Sequence, residues 1–184
     1  QSRLWVRYSR AMRTFRTLLA NNLIAVVTNN FVWFALIFWA YLTTKSVIAT
    51  SVLGGLFLVA TAGCGIWFGF LVDHHRKKDA MVLSSIASLV CYTAGLLLYL
   101  LFPGPSFERL QSPQLWGLVV LLLAGVIAGN IRTIAVPTCV TLLVPEDERD
   151  RANGLSGSMI GVAFSITSFA SGIALAYTGM LGVM

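Results

Sequence analysis

The sequence predicts an all-α integral membrane protein, a bundle of about five transmembrane helices. Two observations carry that expectation. Five stretches, 18–41, 47–72, 80–102, 115–144 and 155–179, are almost free of charged residues, and hydrophobic residues make up 57% of the chain. Each stretch is longer than the roughly 20 residues an α-helix needs to cross a hydrocarbon core of about 30 Å. The second observation is the cations, which gather between alternate stretches instead of coating one surface. Backbone groups in hydrocarbon must be bonded within their own segment, so helices are the default, and the alternating pattern of membrane strands is absent.

The elements follow in order. Residues 1–17 carry Arg3, Arg7, Arg10, Arg13 and Arg16. At 100° per residue Leu4, Trp5, Tyr8, Met12 and Phe15 share one face, with Arg3, Arg7 and Arg10 opposite. That pattern predicts a basic amphipathic segment lying on the inner leaflet before the chain turns into the bilayer. The alternative is a flexible basic tail that only sets topology. A cleaved signal is excluded, because the apolar run that follows is too long and no small-residue cleavage pattern ends it.

The first span holds Thr28, Asn29 and Asn30, and the fifth holds Ser165, Thr167, Ser168 and Ser171. The two asparagines are the most costly of these to leave facing lipid. Glycines four apart occur at Gly65 and Gly69, Gly125 and Gly129, and Gly157 and Gly161, one pair in each of three spans. Small residues at that spacing let membrane helices approach closely, which predicts a tightly packed bundle.

Ten of the 13 Lys and Arg residues fall on one side of a five-span path: the five near the start, then Arg76, Lys77, Lys78, Arg149 and Arg151. Lys45 and Arg109 fall on the other. The positive-inside rule then places the amino terminus in the cytoplasm, in a multi-pass protein of the plasma (inner) membrane. Nucleic acid is excluded as a partner, since its binding needs cations and aromatics on one solvated face. Cys64, Cys91 and Cys139 lie singly in three spans, which excludes a clustered metal or redox site. No nucleophile-base set, phosphate loop or zinc motif is present, so no metal, cofactor or enzymatic activity is expected.

Arg132 lies near the middle of the fourth stretch, about 4 Å from the midplane if a helix of about 45 Å is centred in the bilayer. Arg at that depth costs about 2.5–3.5 kcal/mol on insertion scales. Either it faces a water-filled cavity or a partner, or the helix rides outward and Arg132 snorkels to the headgroups. Pro137 favours a bend nearby. Asn29, Asn30 and Arg132 are the candidate substrate-cavity residues.

The loop Gly69-x-Leu71-x-Asp73-His74-x-Arg76-Lys77-Lys78 resembles the signature between the second and third helices of the major facilitator superfamily. A second segment, with Pro145, Arg149, Ala152 and Gly154, is similar to the one entering that family's fifth helix. Residues 35–46 and 153–157 resemble its bacterial multidrug, macrolide and siderophore exporters. There are departures. His74 stands where the loop signature has Arg or Lys, Arg76 where it has Gly, and Leu121 at the family's fourth-helix Arg position. The fifth-helix antiporter pattern is reduced to Thr167-Ser168-x-x-Ser171-Gly172, without its proline. Independently of the family, no Asp or Glu lies in any span, so no proton carrier is visible.

The resemblance implies a major-facilitator-type fold of twelve helices in two halves, with substrate bound between them near the midplane. On that pattern the chain is the first half lacking its sixth helix, a bundle over 18–184. It implies a secondary transporter of small molecules, by efflux or as an uptake permease of the same fold, with a membrane scaffold as the remoter alternative. Its partners would be the lipid bilayer, a small-molecule substrate and the carboxyl-terminal half. Gly69, Asp73, Arg76, Lys77, Lys78 and Arg149 would form a cytoplasmic gate in which Asp73 latches the two halves together.

Overall fold

The computed structural model describes residues 2–102, 104–107 and 112–183, with the side chains of 2–11 and of Pro105 left aside. Arg109 and the arginines of the first ten residues therefore lie outside the described side chains. Among the described residues six α-helices make the bundle: α1 (Ser2–Thr44), α2 (Val47–His74), α3 (Lys77–Leu101), α4 (Pro113–Gly129), α5 (Ile131–Leu143) and α6 (Arg149–Val183). Since α4 and α5 together cross once, there are five candidate membrane spans, each long and apolar enough.

Helix starts follow local chemistry. Ser46 and Ser112 cap α2 and α4, accepting from the N–H groups of Ala49 and Leu115, and Pro113 occupies the first turn of α4. Near the end of α6, Gly179 adopts φ 66° and ψ −169°, a conformation open essentially to glycine alone. Three sequence expectations change here. Residues 2–17 of the basic segment are helical but are not set off by a turn, because α1 runs unbroken from Ser2 to Thr44. The interruption in the fourth span falls at Asn130 and not at Pro137, which sits inside α5. The third concerns glycine. Gly125 and Gly129 do make close approaches, but a Cβ on Gly65, Gly69, Gly157 or Gly161 would meet nothing within 4 Å. Those faces of α2 and α6 are turned away from the other helices, so the same spacing brings no backbone contact.

The buried stripe of α1 runs Phe15, Leu19, Asn22 and then Val32, Leu36 and Ala40, with the three- and four-residue spacing of a helix face. α1 packs chiefly on α6, and α3 on α4. α2 contributes only Leu53 and Val72 to the interior, with Trp33 stacked on Phe57 at 4.1 Å. One apolar cluster, around Leu36, Trp39, Leu115 and Leu118, closes one end. Two smaller ones, around Val72, Met81 and Ala135 and around Phe15, Val140 and Ala152, close the end that carries Asp73 and Arg149. Between them lies a polar layer.

Candidate functional site

The polar layer is built where the fourth span breaks. The carbonyls near the end of α4 lose their helical partners at the break, and leaving them bare in hydrocarbon would cost several kcal/mol each. Side chains of two other helices supply the donors. Asn29 Nδ2 donates to the Val126 carbonyl at 3.2 Å, Ser84 Oγ to Ala128 at 2.8 Å, and Ser88 Oγ to Gly125 at 2.7 Å. The Asn130 N–H closes on the Ile127 carbonyl at 3.0 Å. Tyr92 Oη donates in turn to Asn29 Oδ1 at 2.8 Å. Asn29 is therefore held at both ends of its amide, and the absence of side chains at Gly125 and Gly129 makes room for Tyr92 and Asn29.

Arg132 opens α5 and points inward. Its side chain is 8% exposed, so it does not snorkel outward. Nη1 donates to Asn21 Oδ1 of α1 at 2.9 Å, and Nη2 to Ser85 Oγ of α3 at 2.5 Å. Both partners are neutral. A cavity of about 400 Å³ lies against these groups, lined by Asn21, Asn29, Asn30, Ser84, Tyr92 and Arg132 among others. The three candidate cavity residues thus border one space, of a size that suits a small molecule. Asn21, Asn22, Ser84, Ser85, Ser88 and Tyr92 were not singled out in the sequence, although Asn22 and Asn29 continue the three-to-four spacing of the α1 stripe. By contrast Thr28, Ser165, Thr167, Ser168 and Ser171 bond to carbonyls three or four residues back in their own helices.

The loop after α2 is arranged as a helix stop. His74 Nδ1 and His75 Nδ1 each lie within 3.1 Å of a carbonyl one turn back, Phe70 and Leu71 respectively, and each donates when that nitrogen carries the proton. Lys77 Nζ donates to the Val72 carbonyl and lies 3.9 Å from Asp73 Oδ1. Positive groups at a helix carboxyl end complement its dipole. The Asp73 side chain is 71% exposed, so its pairing with Lys77 is worth only about 0–1 kcal/mol. Arg149 caps a different helix, donating to the carbonyls of Val144 and Thr141 at 3.2 and 3.0 Å. Gly69, Asp73, Arg76, Lys77 and Lys78 therefore cluster at one turn, with Arg149 at the end of α5.

Residues 14–184 match the profile of the Major Facilitator Superfamily. The chain belongs to that family. Members of the Major Facilitator Superfamily are membrane transporters, not enzymes. The chain is also 26% identical over 161 residues to macrolide efflux protein A of Streptococcus pyogenes, and equally so to that of S. pyogenes serotype M6. Each alignment covers 88% of this chain and 38% of the relative, so the chain spans well under half the length of these relatives. No solved structure matches the chain.

Proposed function

We propose that this chain is most of the first half of a secondary transporter that exports small molecules by alternating access, with its substrate against the polar layer at Arg132. The observation that carries the reading is the broken fourth span. Beside the break, Arg132 and the asparagines Asn21, Asn29 and Asn30 border one cavity between α1, α3 and α5. Discontinuous helices at membrane depth are where transporters of this architecture place substrate. Export is favoured over uptake by the efflux proteins that the chain resembles, and the cation asymmetry supports a cytoplasmic amino terminus in the plasma membrane.

In this reading the turn after α2 is the cytoplasmic gate. Asp73, mostly solvent-exposed, is free to bond across to the second half in the outward-facing state. Differential contacts of a few kcal/mol are enough to set the balance between two states. Cells expressing the full-length protein should accumulate less of at least one compound from a panel of macrolides and organic anions, and an uncoupler should remove the difference. Asp73→Asn should slow that export several-fold with unchanged protein abundance, as expected for a shift of about 1 kcal/mol. Greater accumulation on expression would make the protein an uptake permease. No change for any compound would favour a scaffold, and labelling of a single cysteine at position 77 from outside the cells would reverse the orientation.

A further inference from the structure

Arg132 lines two cavities, not one. The second, of about 350 Å³, lies between α1, α5 and α6. Its body is apolar, formed by Val26, Val136, Val140 and Ile160, and its polar lining includes Arg132 and Asn22. Asn22 is 2% exposed, and its carboxamide oxygen has no hydrogen-bond partner among the described residues. An unpartnered buried polar atom costs about 1–3 kcal/mol. A half-turn about χ2 exchanges the amide oxygen and nitrogen, so a ligand group that both donates and accepts suits Asn22 in either orientation. A hydroxyl meets that condition, whereas an ammonium does not.

Arg132 supplies the charge requirement. Its bonded partners, Asn21 and Ser85, are neutral, and no Asp or Glu occurs in the apolar stretches 18–41, 47–72, 80–102, 115–144 and 155–179. A buried cation is costly without a counter-charge. Its position adds to this, because Arg132 sits in the first turn of α5, where the helix dipole is also positive. Guanidinium and helix end together favour an anion.

We propose that this second cavity binds an organic anion carrying a hydroxyl beside its acid group, an α-hydroxycarboxylate with an apolar body. The carboxylate accepts from the Arg132 guanidinium, the hydroxyl meets Asn22, and the body lies against the valines and Ile160. The second cavity adjoins the polar-layer cavity proposed above through their shared residue Arg132, so this names a substrate class for that transporter and rests on that reading, but binding is measurable apart from transport.

The full-length protein in nanodiscs is titrated calorimetrically with mandelate, with phenylacetate, which lacks the hydroxyl, and with methyl mandelate, which lacks the charge. Mandelate is expected to bind about tenfold or more tightly than either, the ratio for one satisfied buried polar group. Asn22→Leu removes an unpartnered polar group at similar size and should bring mandelate and phenylacetate to within about twofold. Arg132→Gln should do the same for mandelate and its methyl ester. Equal wild-type binding of mandelate and phenylacetate, or no binding of any of the three at millimolar concentration, overturns the proposal without reference to a variant. Mandelate binding with no transport of any compound would sink the transporter reading alone. Export of other compounds without mandelate binding would sink the hydroxy-anion site alone.

Discussion

Arg132→Leu should weaken transport of an anionic substrate by about 10- to 100-fold, mainly through KM, while leaving the protein folded and inserted. A hydrogen bond to a charged group contributes about 1.5–3 kcal/mol when desolvated, and the loss of one such bond gives that range. Folding should survive because leucine removes the insertion cost of about 2.5–3.5 kcal/mol that arginine carries at mid-depth. The Asn21 and Ser85 oxygens lose a donor in the variant. Both border a cavity, where water can replace the guanidinium. Arg132→Lys separates charge from geometry: it should restore part of the affinity, since an ammonium keeps the charge but cannot form the planar fork. Initial-rate kinetics in proteoliposomes, with quantified protein, measures this. Unchanged KM and kcat for every transported compound would reduce Arg132 to a strut between α1 and α3.

Gly129→Ala is expected to destabilise the bundle by about 1–3 kcal/mol, the usual cost of overpacking. The added Cβ would lie 2.3 Å from Asn29 Oδ1. Asn29 must then swing away, releasing the Tyr92 hydroxyl and the Val126 carbonyl that it bonds. Gly125→Ala meets the Tyr92 ring at 2.4 Å and Cys91 Cβ at 3.1 Å, and should behave alike. Gly161→Ala, in an identical glycine spacing, opens onto free space and should leave the bundle stable. Melting temperatures in one detergent compare the three. A loss at Gly161 equal to that at Gly129 would show that spacing, and not the Asn29 contact, sets the effect.

That contrast marks the limit of what the sequence carries. The five long apolar spans were legible because hydrocarbon enforces them over some 20 residues at a time. The helix-opening serines, Ser46 and Ser112, are local chemistry, although they were not singled out in the sequence. A glycine pair does not reveal whether another helix stands opposite, which depends on the packing of the whole bundle. The break at Asn130 was hidden for the same reason. It is stabilised by Asn29, Ser84 and Ser88, far away in the chain. Pro137, the local signal, drew attention to the wrong turn. Asn22 was available from the α1 stripe, where it occupies an apolar position. His74 and His75 are exposed, and their rings fold back onto the last turn of α2.

The central claim, that the polar layer is a water-filled substrate cavity, is tested most directly by cysteine protection. Asn30→Cys lines the cavity, and Val59→Cys, on an exposed apolar face of α2, is the lipid-facing control. Both are made in full-length protein lacking Cys64, Cys91 and Cys139. A small hydrophilic thiol reagent should label position 30 and spare position 59, and a transported compound should slow the labelling at 30. An unreactive position 30, or labelling that no transported compound slows, would contradict the claim.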